Sequence, residues 1–444
     1  MMGYPVSAGY GDENENGTST EYHTRHLPRS FGEVYLLTIH NSLLTSLNFF
    51  MKGWLLTIGL IFLIAIEVLR VYFIMPFPGS QQSNTISIAY FIDRNIWWLR
   101  VIGFIIVIIP LIYFLRNGRI WKKIVLVLVL LFYGVITYAF NFKFLAEKMF
   151  YQPKVKSFAT AQTDTTAKSK LVIGVRINNE AKAYPIEIIG YHHQVKDTVG
   201  GESLIVTYCT VCRSGRVFSP FVHGKMETFR LVGMDHFNAM FEDATTKSWW
   251  RQENGVAITG ALKGTRLKEI PSEQMALQEW LALHPNSLVL QPDSNFKVRY
   301  DSLKGFDEGT IYGGLEHRDT SSWNKKSWVI GVTLNNVSKA YDWNELADKK
   351  IIEDTIANES LLLTLADDNR SFYVLDRKIN NQRLNFYLDS NKILTDTQTH
   401  SQWLANGTCT TGTLKDAQLQ RVQSYQEFWH SWKAFHPQTE VYGK

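Results

Sequence analysis

Cysteine is scarce in this chain: three residues in 444, at Cys209, Cys212 and Cys409. Two form a single Cys-x-x-Cys and the third stands far off. That excludes a disulfide-stapled scaffold and leaves any cysteine chemistry to the close pair. The part after residue 150 has no concentrated Lys/Arg stripe, and a formal net charge of +5 is small for this length. A nucleic-acid partner is therefore not expected. There is no G-x-S-x-G elbow, no Walker loop, no H-E-x-x-H and no Gly-rich dinucleotide turn, so no nucleotide or organic cofactor is indicated. No charged start with a short apolar core follows Met1, so the first apolar segment is expected to stay attached.

Charge is scarcest near the N-terminus. Residues 54–75 hold only Glu67 and Arg70, residues 97–115 only Arg100, and residues 124–140 none. A bilayer core about 30 Å thick takes roughly 20 apolar residues, so three transmembrane helices are expected at about 54–75, 97–115 and 121–141. Trp54, Trp97, Trp98, Trp121 and Tyr138 stand near their ends, where amphipathic rings favour the interface. The lipid bilayer is thus a partner of residues 34–150. Residues 1–33, rich in Gly, Ser, Thr, Asn and Glu, read as a disordered cytoplasmic tail. Arg116, Arg119, Lys122 and Lys123 crowd the loop between the second and third helices, whereas the first loop has only Arg94 beside Asp93. The positive-inside tendency puts the N-terminus inside and everything after residue 150 outside. Residues 151–170 read as a spacer.

The outer part is written twice. VIGVRINNEAKAY at 172–184 returns as VIGVTLNNVSKAY at 329–341, an offset of 157. Asp243-x-x-Thr246-x-Ser248-x-Trp250 returns as Asp396-x-x-Thr399-x-Ser401-x-Trp403, and Trp280-x-x-x-His284-Pro285 as Trp432-x-x-x-His436-Pro437. The expected fold is α+β and β-rich: two tandem pseudo-symmetric repeats at 171–290 and 325–444, a connector at 291–324, and three transmembrane helices ahead. Short β-branched runs bounded by Gly, Asn or Asp give the strands. A helix is expected late in each copy, over 272–283 and 424–435, ending before His-Pro.

Features kept in both copies serve the fold, and features found once are the functional candidates. The Asp-Thr-Ser-Trp set recurs and reads as a hydrogen-bonded turn. His284 and His436 recur as helix ends. Cys409 aligns with Ala257 and reads as a small buried residue. By contrast, Cys209 and Cys212 align with Ala366 and Asn369, and His192 and His193 with Lys349 and Lys350. A turn at Val199-Gly200-Gly201 would bring His192 back beside the thiols. Thiolate, imidazole and thioether make a soft donor set for copper(I), or for zinc. The first reading is a metal site of Cys209, Cys212 and His192, copper preferred, with Met240 or Met234 as a weak fourth donor. The same pair could instead cycle between dithiol and disulfide as an oxidoreductase. In an oxidising compartment it could equally be a static staple in a non-catalytic module.

Several of these stretches are familiar. AKAYP at 181–185, His192 with Val195 and residues 197–201, VTYCTVCRSGRVF at 206–218, and the D-x-x-T-x-S-x-W of 243–250 resemble the prokaryotic domain of unknown function 3179. The resemblance runs from about residue 171 to 442. It implies an exported or membrane-attached domain and names no activity. Combined with the topology, it implies a bacterial inner-membrane protein with its C-terminal domain in the periplasm. Family members more often carry an acidic residue at the place of His193, which leaves His192 the stronger candidate.

Overall fold

The computed structural model describes residues 31–444 apart from Gly313. Most of the segment read as a tail lies outside the described residues, and Phe31 already opens a helix. The described residues divide into two units, one ending at residue 58 and the other spanning residues 59–444.

Helices α1 (Phe31–Tyr72), α2 (Ile86–Asn117) and α3 (Ile120–Phe142) are each long and apolar enough to cross a membrane, as expected. α2 begins well before the apolar run at 97. Its first turns are held by protein rather than lipid: Ala89 and Ile92 are buried, and the Tyr90 ring meets Trp249 edge-on at 5.1 Å. The few charges in these runs satisfy one another. Arg100 grips Glu67 through two hydrogen bonds of 2.6 and 2.8 Å, and Asn141 bridges Glu67, Arg100 and Arg70. Arg70 also pairs with Asp93 at 2.8 Å. An unpaired charge at this depth would be costly, so the pairing fixes where the three helices meet.

The remainder is α+β and strand-rich, and it repeats element by element. A sheet ordered Glu273–Ala276, Leu171–Ile177, Glu180–Pro185, Leu288–Leu290 has its twin in Ser424–Phe428, Trp328–Leu334, Val337–Asp342, Glu440–Val441. The last pair is parallel in both. Val172 faces Pro185 as Val329 faces Asp342, so the 157-residue offset survives as strand register. Three-stranded sheets follow in each copy, Gln194–Val199, Glu202–Cys209, Ser214–Phe218 and Ile351–Ile356, Glu359–Leu365, Phe372–Asp376. The first copy adds an edge strand, Phe158–Ala159, from the segment read as a spacer.

The late helix is shorter than expected. Residues Glu273–Ala276 and Ser424–Phe428 are strands, and only Leu277–Leu283 and Trp429–Phe435 are helical. Pairing with the sheet satisfies the backbone of 273–276 and buries Met275, which outweighs its helical spacing. Each helix presses a tryptophan onto the sheet. A Cβ on Gly174 would lie 2.2 Å from Trp280, and one on Gly331 2.1 Å from Trp432, so both positions require glycine. His436 stacks on Trp432 at 3.8 Å between ring centres, and His284 packs tilted on Trp280 at 4.2 Å. The Asp-Thr-Ser-Trp set is a buried hub. Asp243 accepts hydrogen bonds from the Thr246 and Ser248 backbone N–H groups, the Thr246 hydroxyl and the Trp250 indole, and Asp396 does the same with Thr399, Ser401 and Trp403.

Candidate functional site

Cys209 closes the strand Glu202–Cys209 and faces Ser214 across a four-residue loop. The loop turns through Arg213, whose φ is +55°. In the second copy the loop is equally long, but the left-handed residue is Asn369, one place earlier, so the turn differs in conformation. Arg213 is locked by stacking on Trp328 at 3.8 Å and by bonds to Gln426 and the Phe306 and Asp307 carbonyls. Cys209 and Cys212 are free thiols, both without solvent exposure. Both donate to one acceptor, the Phe237 carbonyl, at 3.4 and 3.3 Å.

Much of the wall around this turn comes from the second copy. Lys326 Nζ donates to the Val211 carbonyl at 2.7 Å, between the two cysteines, and His430 Nε2 meets the same oxygen at 3.1 Å. The Phe428 N–H donates to the Cys212 carbonyl at 2.9 Å. Ser431 donates to Glu427 at 2.9 Å. Glu427 in turn holds Arg216 at 2.5 Å, and Arg216 lies over Tyr425 at 3.4 Å. The turn therefore sits at the seam between the copies.

The two thiols differ in acidity. Burial pushes both up. Once Cys209 is ionised, the Cys212 thiol and the Cys212 and Ala239 N–H groups can donate to it, and with the charge of Lys326 they outweigh burial and bring it below the usual thiol value. Cys212 lies well above that value, raised by burial and then by its bond to Cys209. Burial lowers Lys326, and the sulfurs partly restore it. His430 is pushed down to about 4 by burial and by Lys326, so it is neutral and its Nε2 carries the proton given to Val211.

His192 is not part of this group, which corrects the expected ligand set. Its Nδ1 contacts the Tyr151 carbonyl and its Nε2 the Tyr300 hydroxyl at 2.7 Å, so both ring nitrogens are engaged elsewhere. The expected reversal at Gly200–Gly201 does occur, and Gln194 pairs with Thr207. Extended by two residues, that ladder would set His192 opposite Cys209. Instead His192 ends the helix Ile186–His192, and His193, at φ +59°, swings the chain away. His193 is the histidine nearer the strand. Its Nδ1 meets the Tyr208 carbonyl at 3.1 Å, its ring packs on Phe150 at 4.4 Å, and burial lowers it to about 4. Met234 and Met240 share one buried cluster with both thiols. Cys409 is buried and donates to the Thr411 carbonyl. An open cavity of about 600 Å³, lined by Trp280, His284, Tyr373 and Arg421, lies elsewhere between the copies.

Lys326 and His430 are not among the residues singled out from the sequence, although the same one-copy rule points to them. Their counterparts in the first copy are Ser169 and Gln278. Within the copy that holds the cysteines the rule singles out the thiols and the two histidines, whereas Lys326 and His430, which bond to the Val211 carbonyl of the cysteine turn, stand in the other copy.

A family model described as "Protein of unknown function (DUF3179)" matches residues 150–439. No curated protein and no solved structure matches the chain.

Proposed function

The chain belongs to that family of proteins of unknown function, and from this premise we propose that it is a membrane-anchored extracytoplasmic protein that binds one copper(I) ion between Cys209 and Cys212. The observation that carries the reading is the convergence of both sulfurs on one carbonyl, with the half-buried amine of Lys326 on the same turn. Two thiolates and a monovalent ion leave one negative charge, and the Lys326 ammonium offsets it, as burial requires. Soft thiolates select copper(I). Zinc fits less well: it takes four donors, and among the described residues no three or more His, Cys, Asp or Glu side chains gather. With His192 engaged elsewhere, Met234 and Met240 are the extra soft donors in the same cluster.

The orientation follows from charge. α2 meets the domain through Ala89 and Tyr90, and the Arg116–Lys123 cluster stands at its far end, about 45 Å away at about 1.5 Å per residue. That exceeds a bilayer core of about 30 Å, so cluster and domain lie on opposite faces. The basic face is cytoplasmic by the positive-inside tendency, and the domain stands in the periplasm of a bacterial inner membrane.

A second reading, a thiol–disulfide oxidoreductase, is favoured by the split in thiol acidity. Burial argues against it, because exchange needs an attacking thiolate to reach a sulfur. Titration of the reduced full chain in detergent against a chromogenic copper(I) chelator separates the readings. One ion per chain, lost in the Cys209→Ser/Cys212→Ser variant and kept in His192→Ala, supports the copper reading. A chain that takes no copper but cycles two thiols reversibly moves the conclusion to redox. A double variant that fails to fold moves it to a structural staple.

A further inference from the structure

The hairpin carrying the shared carbonyl has an unusual tip. Strands Phe229–Asp235 and Asn238–Asp243 are joined by His236 and Phe237 alone, with φ of +50° and +68°. Such a turn favours Asn-Gly, and a histidine and a phenylalanine persist there only when their surroundings hold them. In the second copy five residues join the matching strands, Phe386–Leu388 and Leu394–Asp396, so the tight tip belongs to the first copy alone.

The Phe237 and His236 rings stand edge-on to His430 and Phe435, at 6.0 and 6.3 Å, and two polar contacts hold the tip as well. His236 Nδ1 meets Asp235 at 2.6 Å. The Phe237 N–H donates to the amide oxygen of Gln81, at 3.2 Å, and Gln81 comes from the loop between α1 and α2. The other end of that amide donates to the Phe73 carbonyl at 2.7 Å. Gln81 is buried and itself sits at φ +64°. The same loop grips the strand leading to the tip. The Met234 N–H donates to the Ile74 carbonyl at 2.7 Å, and a Cβ on Gly233 would lie 2.3 Å from that oxygen. A path of hydrogen bonds, joined through the backbone of Phe237, thus runs from the end of the first membrane helix, through Gln81, to both sulfurs.

We infer that Gln81 is a positioning residue for the thiol pair: a side chain from the membrane-helix loop fixes the carbonyl that Cys209 and Cys212 share. The inference rests on the reading of these thiols as the working groups. It makes the membrane segment part of the site rather than a tether for it.

The S–H stretching band of the reduced, metal-free full chain tests this, because it lies clear of other protein bands and rises when a thiol stops donating. Gln81→Met keeps the length and loses both hydrogen bonds, so the band of Cys209 and Cys212 should move up. Gln81→Glu keeps an acceptor facing the Phe237 N–H, so the band should stay. Cys409, which donates to Thr411, supplies an unmoved reference. A Gln81→Met protein that melts lower with its band unchanged would show a structural role only and overturn the inference. So would equal movement in both variants. If Gln81→Met does not fold, a Phe237→Gly background relieves the turn, and the same upward movement is required there. The band is read without copper, so a failed copper titration rejects the copper reading and leaves the positioning role of Gln81 to be decided by the band alone.

Discussion

Gln274 and Gln426 hold the same place in the two copies, and the amide of one donates to the oxygen of the other at 2.8 Å. Equivalent residues meet in this way where an approximate two-fold axis passes between them. The axis carries the Glu269–Tyr425 bond onto the Arg421–Glu273 ion pair. The shape is kept, but the chemistry is not. Gln426 also accepts from Arg213 beside the cysteine turn, whereas Arg370 bonds to Ser169 and Glu308. The two ends of the seam therefore share a shape and differ in their side-chain partners.

If Lys326 balances the charge of a copper dithiolate, Lys326→Met should weaken copper(I) binding by roughly ten- to a hundred-fold, the scale of one charge a few ångströms away at intermediate dielectric. Lys326→Arg should keep most of the affinity. Equal affinity in all three proteins, measured by chelator competition, would remove the charge-balance argument.

The two aspartate hubs make the opposite prediction. Asp243→Ala and Asp396→Ala each strand several buried donors, so each should cost about 3 kcal/mol or more in denaturant unfolding. Asp396→Ala should leave copper binding of the folded fraction unchanged. A stable Asp396→Ala protein with altered metal binding would make the hub a ligand site instead of a fold element.

Much of this architecture is legible in the sequence, because duplication acts as an internal alignment: strand register follows the 157-residue offset, and the hubs and the packed tryptophans recur at slightly shorter offsets of 153 and 152. The site is half legible. Cys209 and Cys212 stand out as one-copy residues, but placing His192 with them assumes that the hairpin ladder continues past Gln194. Whether residue 193 takes left-handed φ and ends a helix is a local choice, and the equivalent Lys350 makes it too, at φ +65°. Gln81 is not legible at all, since nothing in a sequence tells which loop side chain will reach a backbone N–H 156 residues away.

The topology rests on charge and on the length of α2, and a reporter fusion checks it. A reporter active only outside the cytoplasm should be active after Lys444 and silent at Gly118. The reverse pattern would place the thiols in the cytoplasm and remove the periplasmic assignment.

The last prediction concerns pH. Glu253 is buried beside Arg216, at 3.6 Å, and has an oxygen without a hydrogen-bond partner. Burial raises it from 4.5 to about 7, against the pull of Arg216. A carboxyl raised in the folded state binds its proton more tightly there than when unfolded. Its contribution to stability is therefore present below about 4.5 and declines as pH rises through about 7. Asp307, raised by burial to about 6, acts in the same direction. His193 and His430, lowered to about 4, act oppositely between about 4 and 6.5, so the wild-type profile alone is ambiguous and a difference is needed. Glu253→Gln removes one titration and leaves the rest. Its melting temperature relative to wild type should climb from pH 5 to about pH 7 and then level off. A flat difference would mean that Glu253 is ionised throughout, held by Arg216 more strongly than burial opposes it.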